Sequence, residues 1–372
     1  MLVRFPFVWV IWTAMVAAVL LVAACGDGED RPNVDVIGGS GSGSASVSGE
    51  EPAVTLGTTF VPATNQDINL AMGLDLRDIR AAMAPAARDE PADWAEAQAI
   101  YENGKNQIRA DGTPRSLASI ADAGVHAAFP NGAAVYGRPD FIDGLIRDGL
   151  SGTGRASGMS DNARRQLVDK GIQMLMYSKA VQQIDLARSR VAAGAADAMA
   201  AIDEAWAVVV GAADPNGNRN NALLATAAAR EEDFMLLGKL AGRIESTFVD
   251  AARDIEQGDT REFNESAEAL KGRINGIFYL GTLRYATLLE RDATAGNREM
   301  HLAEGWASFQ AIRATVAAAS PDAAQTIEAA FTRPASEAFP ASLTKQVYDA
   351  LNQPDVRRAL GIQSELQVAA PR

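Results

Sequence analysis

The sequence predicts an all-α fold, a bundle of long antiparallel helices with an internal duplication. Three observations predict it. Apolar residues recur at helical spacing: Ile274, Ile277, Phe278, Tyr285, Leu288 and Leu289 share one helix face, with Leu280 and Leu283 beside it. Strand signals are scarce, because Ala is abundant and β-branched runs are short. The third observation is a repeat. Glu204-Ala205-Trp206 and Glu304-Gly305-Trp306 stand a hundred residues apart. Lys170-Gly171-Ile172-Gln173-Met174-Leu175-Met176-Tyr177 precedes the first, and Lys271-Gly272-Arg273-Ile274-Asn275-Gly276-Ile277-Phe278-Tyr279 precedes the second. Two like helical units packed face to face make a central cleft, a usual place for a ligand.

Residues 1–24 read as a secretory signal. Met1-Leu2-Val3-Arg4 is a short positive start, Phe5 to Leu21 carries no charge, and Val22-Ala23-Ala24-Cys25 follows. The last four residues resemble a bacterial lipobox. That resemblance implies a lipid on Cys25 as the mature N-terminus, and Gly26 after it favours the outer membrane. Cys25 is the only cysteine, so the fold has neither a disulfide nor a thiolate metal site.

Residues 25–58 form a tether. Gly38-Gly39-Ser40-Gly41-Ser42-Gly43-Ser44 has no apolar surface to bury, and about 30 such residues have a root-mean-square span of roughly 30 Å. The remainder, 59–372, is long enough for a sizeable core. Within it the pattern predicts helices near 66–82, 91–108, 115–126, 139–149, 160–193, 197–211, 222–257, 260–293, 296–318, 323–331 and 341–351. The related units span about 160–258 and 259–318. Asp214-Pro215-Asn216-Gly217-Asn218, Thr332-Arg333-Pro334 and Gln353-Pro354 are breaks.

The charge balance, 34 basic against 47 acidic residues, repels a phosphate backbone. No basic stripe with interleaved aromatics offsets it, which excludes nucleic acid as a partner. The chain has no Gly-x-Ser-x-Gly, no His-Glu-x-x-His, no phosphate-cradling glycine loop and no EF-hand loop. With His126 and His301 as its two histidines, it lacks the material for a multi-histidine zinc site. What remains is oxygen chemistry with one imidazole. His301-Leu302-Ala303-Glu304 places an imidazole and a carboxylate at i and i+3, a pair that suits iron, manganese or zinc. The same spacing equally describes an exposed helical pair worth about 0.3 kcal/mol. Trp206 and Trp306 read as core anchors, and Met174 and Met176 as core filler.

Several blocks carry a family resemblance. Ile100-Tyr101-Glu102-Asn103-Gly104-Lys105-Asn106 followed by Arg115-Ser116-Leu117, the Tyr177 to Asp185 helix, Ile202-Asp203-Glu204-Ala205-Trp206 and His301 to Trp306 resemble, in order and spacing, the low-iron-inducible periplasmic proteins. These are iron-assimilating proteins of green algae with lipoprotein relatives in bacteria. The likeness covers about residues 90 to 320. One departure stands out: Gln182-Gln183-Ile184-Asp185 replaces a His-Glu pair of the family's middle helix.

The resemblance implies binding or relay of iron outside the plasma membrane, without catalysis. Taken with the sequence, it implies a cleft in which Glu102, Asp185, Glu204, His301 and Glu304 are metal ligands. Tyr101 and Tyr285 serve there as ligands or as donors that hold the carboxylates. The implied ligand is iron, the implied partners are the membrane through the lipid at Cys25 and an envelope transporter, and the location is the periplasmic face of the outer membrane. Two other readings stand beside it: a helical scaffold that holds a peptide or protein partner without metal, and a metal-dependent oxidase.

The leader makes a direct prediction. Cys25→Ala is expected to release the protein from the membrane fraction or block its processing, since the acyl chains of a lipoprotein anchor stably. Fractionation with intact-mass measurement checks it, and an unchanged mass and distribution would refute it.

Overall fold

The computed structural model describes residues 60–88, 90–121, 129, 132–213, 219 and 221–371. The leader, Cys25, the tether, His126 and the Asp214–Asn218 break lie outside them. Among the described residues every regular element is helical, and the one β pairing is an isolated bridge between Ile108 and Pro114. In chain order the helices are α1 (Asp67–Leu70), α2 (Met72–Met83), α3 (Trp94–Asn103), α4 (Gly132–Tyr136), α5 (Phe141–Ser151), α6 (Asp161–Ala192), α7 (Ala198–Val210), α8 (Leu223–Asp233), α9 (Ala241–Glu256), α10 (Thr260–Arg291), α11 (Ala295–Ala319), α12 (Pro321–Phe331), α13 (Ala341–Leu351) and α14 (Pro354–Leu360). No helix of the described residues is long and apolar enough to cross a membrane.

Two 32-residue helices, α6 and α10, form the axis of the bundle. Each starts on a side-chain cap: Ser160 Oγ accepts from the Ala163 N–H and Asp259 Oδ1 from the Glu262 N–H, occupying donors that a helix start leaves without partners. Short connections then return the chain as α7 and α11, which pack on their predecessors, and α11 also packs on α6. The core where they meet is apolar and large. It includes Ile172, Met174, Met176, Ile184, Val208, Phe248, Phe263, Ile277, Phe309 and Ile312.

The described helices match the predicted ones most closely where the apolar period is long. Three predictions need correction. The 91–108 helix ends at Asn103, because Gly104 has φ 76° and its Cα sits against the Arg115 carbonyl. Residues 115–121 are turns rather than helix: Arg115 N–H donates to Gln107 O and Ala118 N–H to Tyr101 O. The 222–257 run is two helices. Between α8 and α9, Met235 takes φ 55°, and the buried Glu231 carboxylate accepts the N–H groups of Gly238, Leu240 and Ala241. One side chain of α8 thus caps the start of α9. The short helix α14, with Pro354 at its first position, was outside the predicted set.

The two Glu-x-Trp triplets keep their order, each on the helix after a 32-residue helix. The surroundings differ. Trp206 is buried against Phe60, at 5.2 Å between ring centroids. Trp306 is half-buried, packs only one side on the core, and donates Nε1–H to Glu328 at 2.9 Å. The two triplets thus stand in unlike surroundings, and the structure does not confirm an internal duplication.

Gly272 marks the tightest backbone approach on α10. A Cβ there would lie 2.4 Å from the carbonyl oxygen of Gly361. Gly272→Ala is expected to lower stability by about 1–3 kcal/mol, because overlap with backbone outweighs the helix-propensity gain. Gly296→Ala, where a Cβ meets nothing within 4 Å, is the control and should leave stability unchanged or slightly raised. Urea-unfolding midpoints of the two variants check the pair.

Candidate functional site

The sequence-predicted residues fall into four places. Glu102, near the end of α3, accepts from Arg147 Nη1 at 2.5 Å and from Gln98 at 3.1 Å. Tyr101 beside it is fully buried and donates its hydroxyl to Asp143 Oδ1 at 2.7 Å. Burial, with the charge of Asp143, pushes the Tyr101 phenol far above its ordinary pKa, so it stays a neutral donor and not a phenolate ligand. Asp185 is partly exposed and pairs with Lys271 Nζ at 2.9 Å, with Arg188 at 3.8 Å. Glu204 pairs with Lys179 Nζ at 3.1 Å. These three carboxylates do not join His301 and Glu304, and the five-ligand cleft is corrected accordingly. Among the described residues no group of three or more His, Cys, Asp or Glu side chains is disposed to hold a metal ion.

His301, Glu304 and Tyr285 do come together. His301 and Glu304 are 6% and 2% exposed, so they are not the exposed pair that their spacing also allowed. Tyr285, on α10, donates its hydroxyl to Glu304 Oε1 at 3.1 Å, and its ring lies 6.2 Å from the imidazole. The structure adds a residue that sequence reasoning missed. Asp292, just past the end of α10, meets His301 Nδ1 at 2.8 Å. With the carboxylate oxygen accepting, Nδ1 is the donor, and in the neutral imidazole the lone pair then lies on Nε2. A carboxylate behind an imidazole is the outer-shell arrangement common to metal-binding histidines. Asp292 could have been suspected only from its place nine residues before His301 at a helix–helix turn.

A wider network of buried polar groups surrounds the cluster. Lys170 on α6 stands 3.9 Å from Glu304 Oε1 and 3.0 Å from Asp169 Oδ2. Asp169 also accepts from Arg80 Nε at 2.6 Å and Gln173 Nε2 at 2.9 Å. Burial alone would raise the Asp169 pKa, but Arg80 and Lys170 outweigh it and hold the carboxyl well below the ordinary range. The Gln166 amide, with its oxygen and nitrogen oriented to suit its neighbours, donates to Glu304 Oε1 at 3.0 Å. On the other side Arg230 and Arg284 lie over the Tyr285 ring, 5.9 and 5.1 Å from its centroid, and both reach Asp233.

This setting shifts the pKa of His301. Burial lowers its pKa, yet the hydrogen bond to Asp292 and the charge of Glu304 exceed both that effect and the repulsion of Arg284, so the net shift is upward. A histidine whose folded pKa is raised stabilises the fold fully below its unfolded value of ~6.5 and loses that contribution as pH rises through the folded pKa. His301→Gln is therefore expected to flatten the fall of stability on the alkaline side of ~6.5. Urea unfolding of both proteins across that range checks it, and parallel curves would refute it.

Comparison with known proteins bears on this arrangement. No curated protein and no solved structure matches the chain. The family model described as low iron-inducible periplasmic protein matches residues 35–312, which takes in α1 to α10 and most of α11, with every residue of the cluster. The chain belongs to the low iron-inducible periplasmic protein family.

Proposed function

We propose that the protein binds iron in the cell envelope for assimilation and performs no catalysis. Its family is named for induction by low iron and for the periplasm, which supports an envelope location. The proposal adds the anchor at Cys25, placement at the outer membrane and the metal itself as cargo. The observation that carries the binding reading is the Asp292–His301 pair beside Glu304 and Tyr285: two carboxylates, an imidazole and a phenol buried where three helices meet. Oxygen donors with one imidazole suit iron. Lys170 and Arg284 occupy the electrostatic place of a cation there, so iron entry requires that Lys170 release Glu304. Carriage and release of a cargo need such a competitor, whereas a resident cofactor would not.

One observation favours a second reading, a scaffold for a partner segment. A groove of about 380 Å³ runs between α11 and α12, lined by Val135, Ala317, Pro321, Ala324 and Ala329 with Arg313 and Glu328 at its edge. Metal content separates the two readings.

Protein purified without a histidine tag from iron-replete medium is expected to carry iron, and Glu304→Ala to carry less. In titration calorimetry His301→Ala and Asp292→Ala should each weaken binding, the latter by roughly 10–100-fold as for other outer-shell partners. Metal competes with the proton on His301, whose raised pKa sets binding to weaken as pH falls through values above ~6.5. Absence of iron from the wild type, or binding by the three variants as strong as that of the wild type, would refute the proposal.

A further inference from the structure

A second cavity lies away from the iron cluster, where α4, α5, α6 and α11 meet. It has a volume of about 210 Å³. Phe141, Leu145 and Met174 form its buried apolar floor, and Tyr136 and Trp306 stand half-buried at its sides. Tyr136 stacks on Phe141 at 3.8 Å between ring centroids, and the Tyr136 hydroxyl donates to the Gln310 carbonyl, so the aromatic wall is fixed. Trp306 is fixed through Nε1–H to Glu328 at 2.9 Å, and the Gln310 amide donates to the same carboxylate at 2.9 Å.

Three guanidinium groups and one carboxylate line this cavity, and their commitments differ. Arg138 makes a bidentate pair with Asp140 at 2.8 and 2.7 Å. Arg313 donates to Gln310 Oε1 at 3.2 Å and stands 3.8 Å from Glu328. The carboxylate, Asp148, accepts the Arg155 backbone N–H at 3.2 Å. The side chain of Arg155 has no carboxylate within ion-pair distance among the described residues. Its guanidinium lies over Trp306, 4.4 Å from the ring centroid, and its Nε is buried without a hydrogen-bond partner. Buried donors of this kind are rare and call for an acceptor. Stacking on the indole fixes the plane of the fork and leaves the Nε–H at its edge without an acceptor.

We propose that this cavity binds a small aromatic carboxylate, its ring among Phe141, Leu145, Met174 and Trp306 and its carboxylate on Arg155. The size fits, since a cavity of about 150 Å³ holds benzene. Charge is balanced rather than in excess: Asp140 pairs with Arg138, Glu328 acts on both Arg313 and Arg155, and Asp148 also lines the cavity, so the ligand carboxylate is held by hydrogen bonding to the Arg155 guanidinium and not by a net positive field. A protein of net charge −13 does not draw anions from a distance. Selectivity therefore comes from the guanidinium contact at short range and from the apolar wall.

The test uses the full chain and three probes in titration calorimetry: benzoate, its neutral isostere benzamide, and inorganic phosphate. Benzoate is expected to saturate one site, and benzamide and phosphate to bind at least about tenfold more weakly, since a hydrogen bond to a charged group is worth about that or more. Arg155→Gln should weaken benzoate at least about tenfold. Absence of benzoate binding, equal binding of benzamide, stronger binding of phosphate, or an unchanged Arg155→Gln variant each overturns the proposal. The benzoate–benzamide comparison needs no variant, so a failure of Arg155→Gln to fold leaves the test intact.

Discussion

An ionised carboxylate cannot be taken into a helical bundle unless cations and donors follow it inside. Asp169 sits in the first third of α6, and its burial brings Arg80 from α2, Lys170 from the next position and Gln173 one turn on. Lys170 in turn faces Glu304 on α11, which also takes the Tyr285 hydroxyl from α10. Four helices are thus registered by one chain of polar contacts. Apolar packing alone tolerates rotation and sliding of helices, whereas a hydrogen-bonded network of this kind has few satisfactory arrangements. The network is therefore what holds α2, α6, α10 and α11 in mutual register.

The same constraint shapes the iron reading. Glu304 is within reach of an ammonium, a phenol and an amide, and His301 is tied to Asp292. Each group has a partner that could be exchanged for a metal ion, at the cost of leaving Lys170 short of one counter-charge. Asp169 remains beside Lys170 to receive that charge. If the proposed site takes up iron, it would pass between two satisfied states, one held by a side-chain ammonium and one by a metal. That behaviour suits relay more than storage.

What could be read in advance follows the range of the interactions involved. The long helices were legible because their apolar period persists for many turns, as in Asp161–Ala192 and Thr260–Arg291. The His301–Glu304 pair was legible because both residues share one helix. Asp292, Lys170 and Asp169 were not, since they reach the pair from the other side of a turn or from another helix. Glu102, Asp185 and Glu204 carry the converse lesson. Each has the right donor type, but Arg147, Lys271 and Lys179, brought close only by the fold, neutralise it. The break between α8 and α9 was hidden because Glu231 replaces, from a distance in the fold, the cap that a local motif would have announced. Arg155 offered no signal at all: an arginine in a Gly-rich turn means little until Trp306 lies beneath it.

The family match ends at residue 312, within α11, yet the chain folds past that point without a seam. Asn275 donates to the Leu360 carbonyl at 2.8 Å, Tyr279 to Asn352 at 2.9 Å and Arg298 to the Ala335 carbonyl at 2.8 Å, while Gly272 and Gly361 touch through their backbones. Asn275 also receives the Tyr177 hydroxyl at 2.6 Å, which links α6 to α14 through α10. The segment that the family model matches and the segment that the fold holds together thus have different borders in this chain. The region beyond the family segment clamps α10 and α11 from outside. The stiffness of the frame around the His301–Glu304 cluster is therefore set in part by residues that lie outside the family segment.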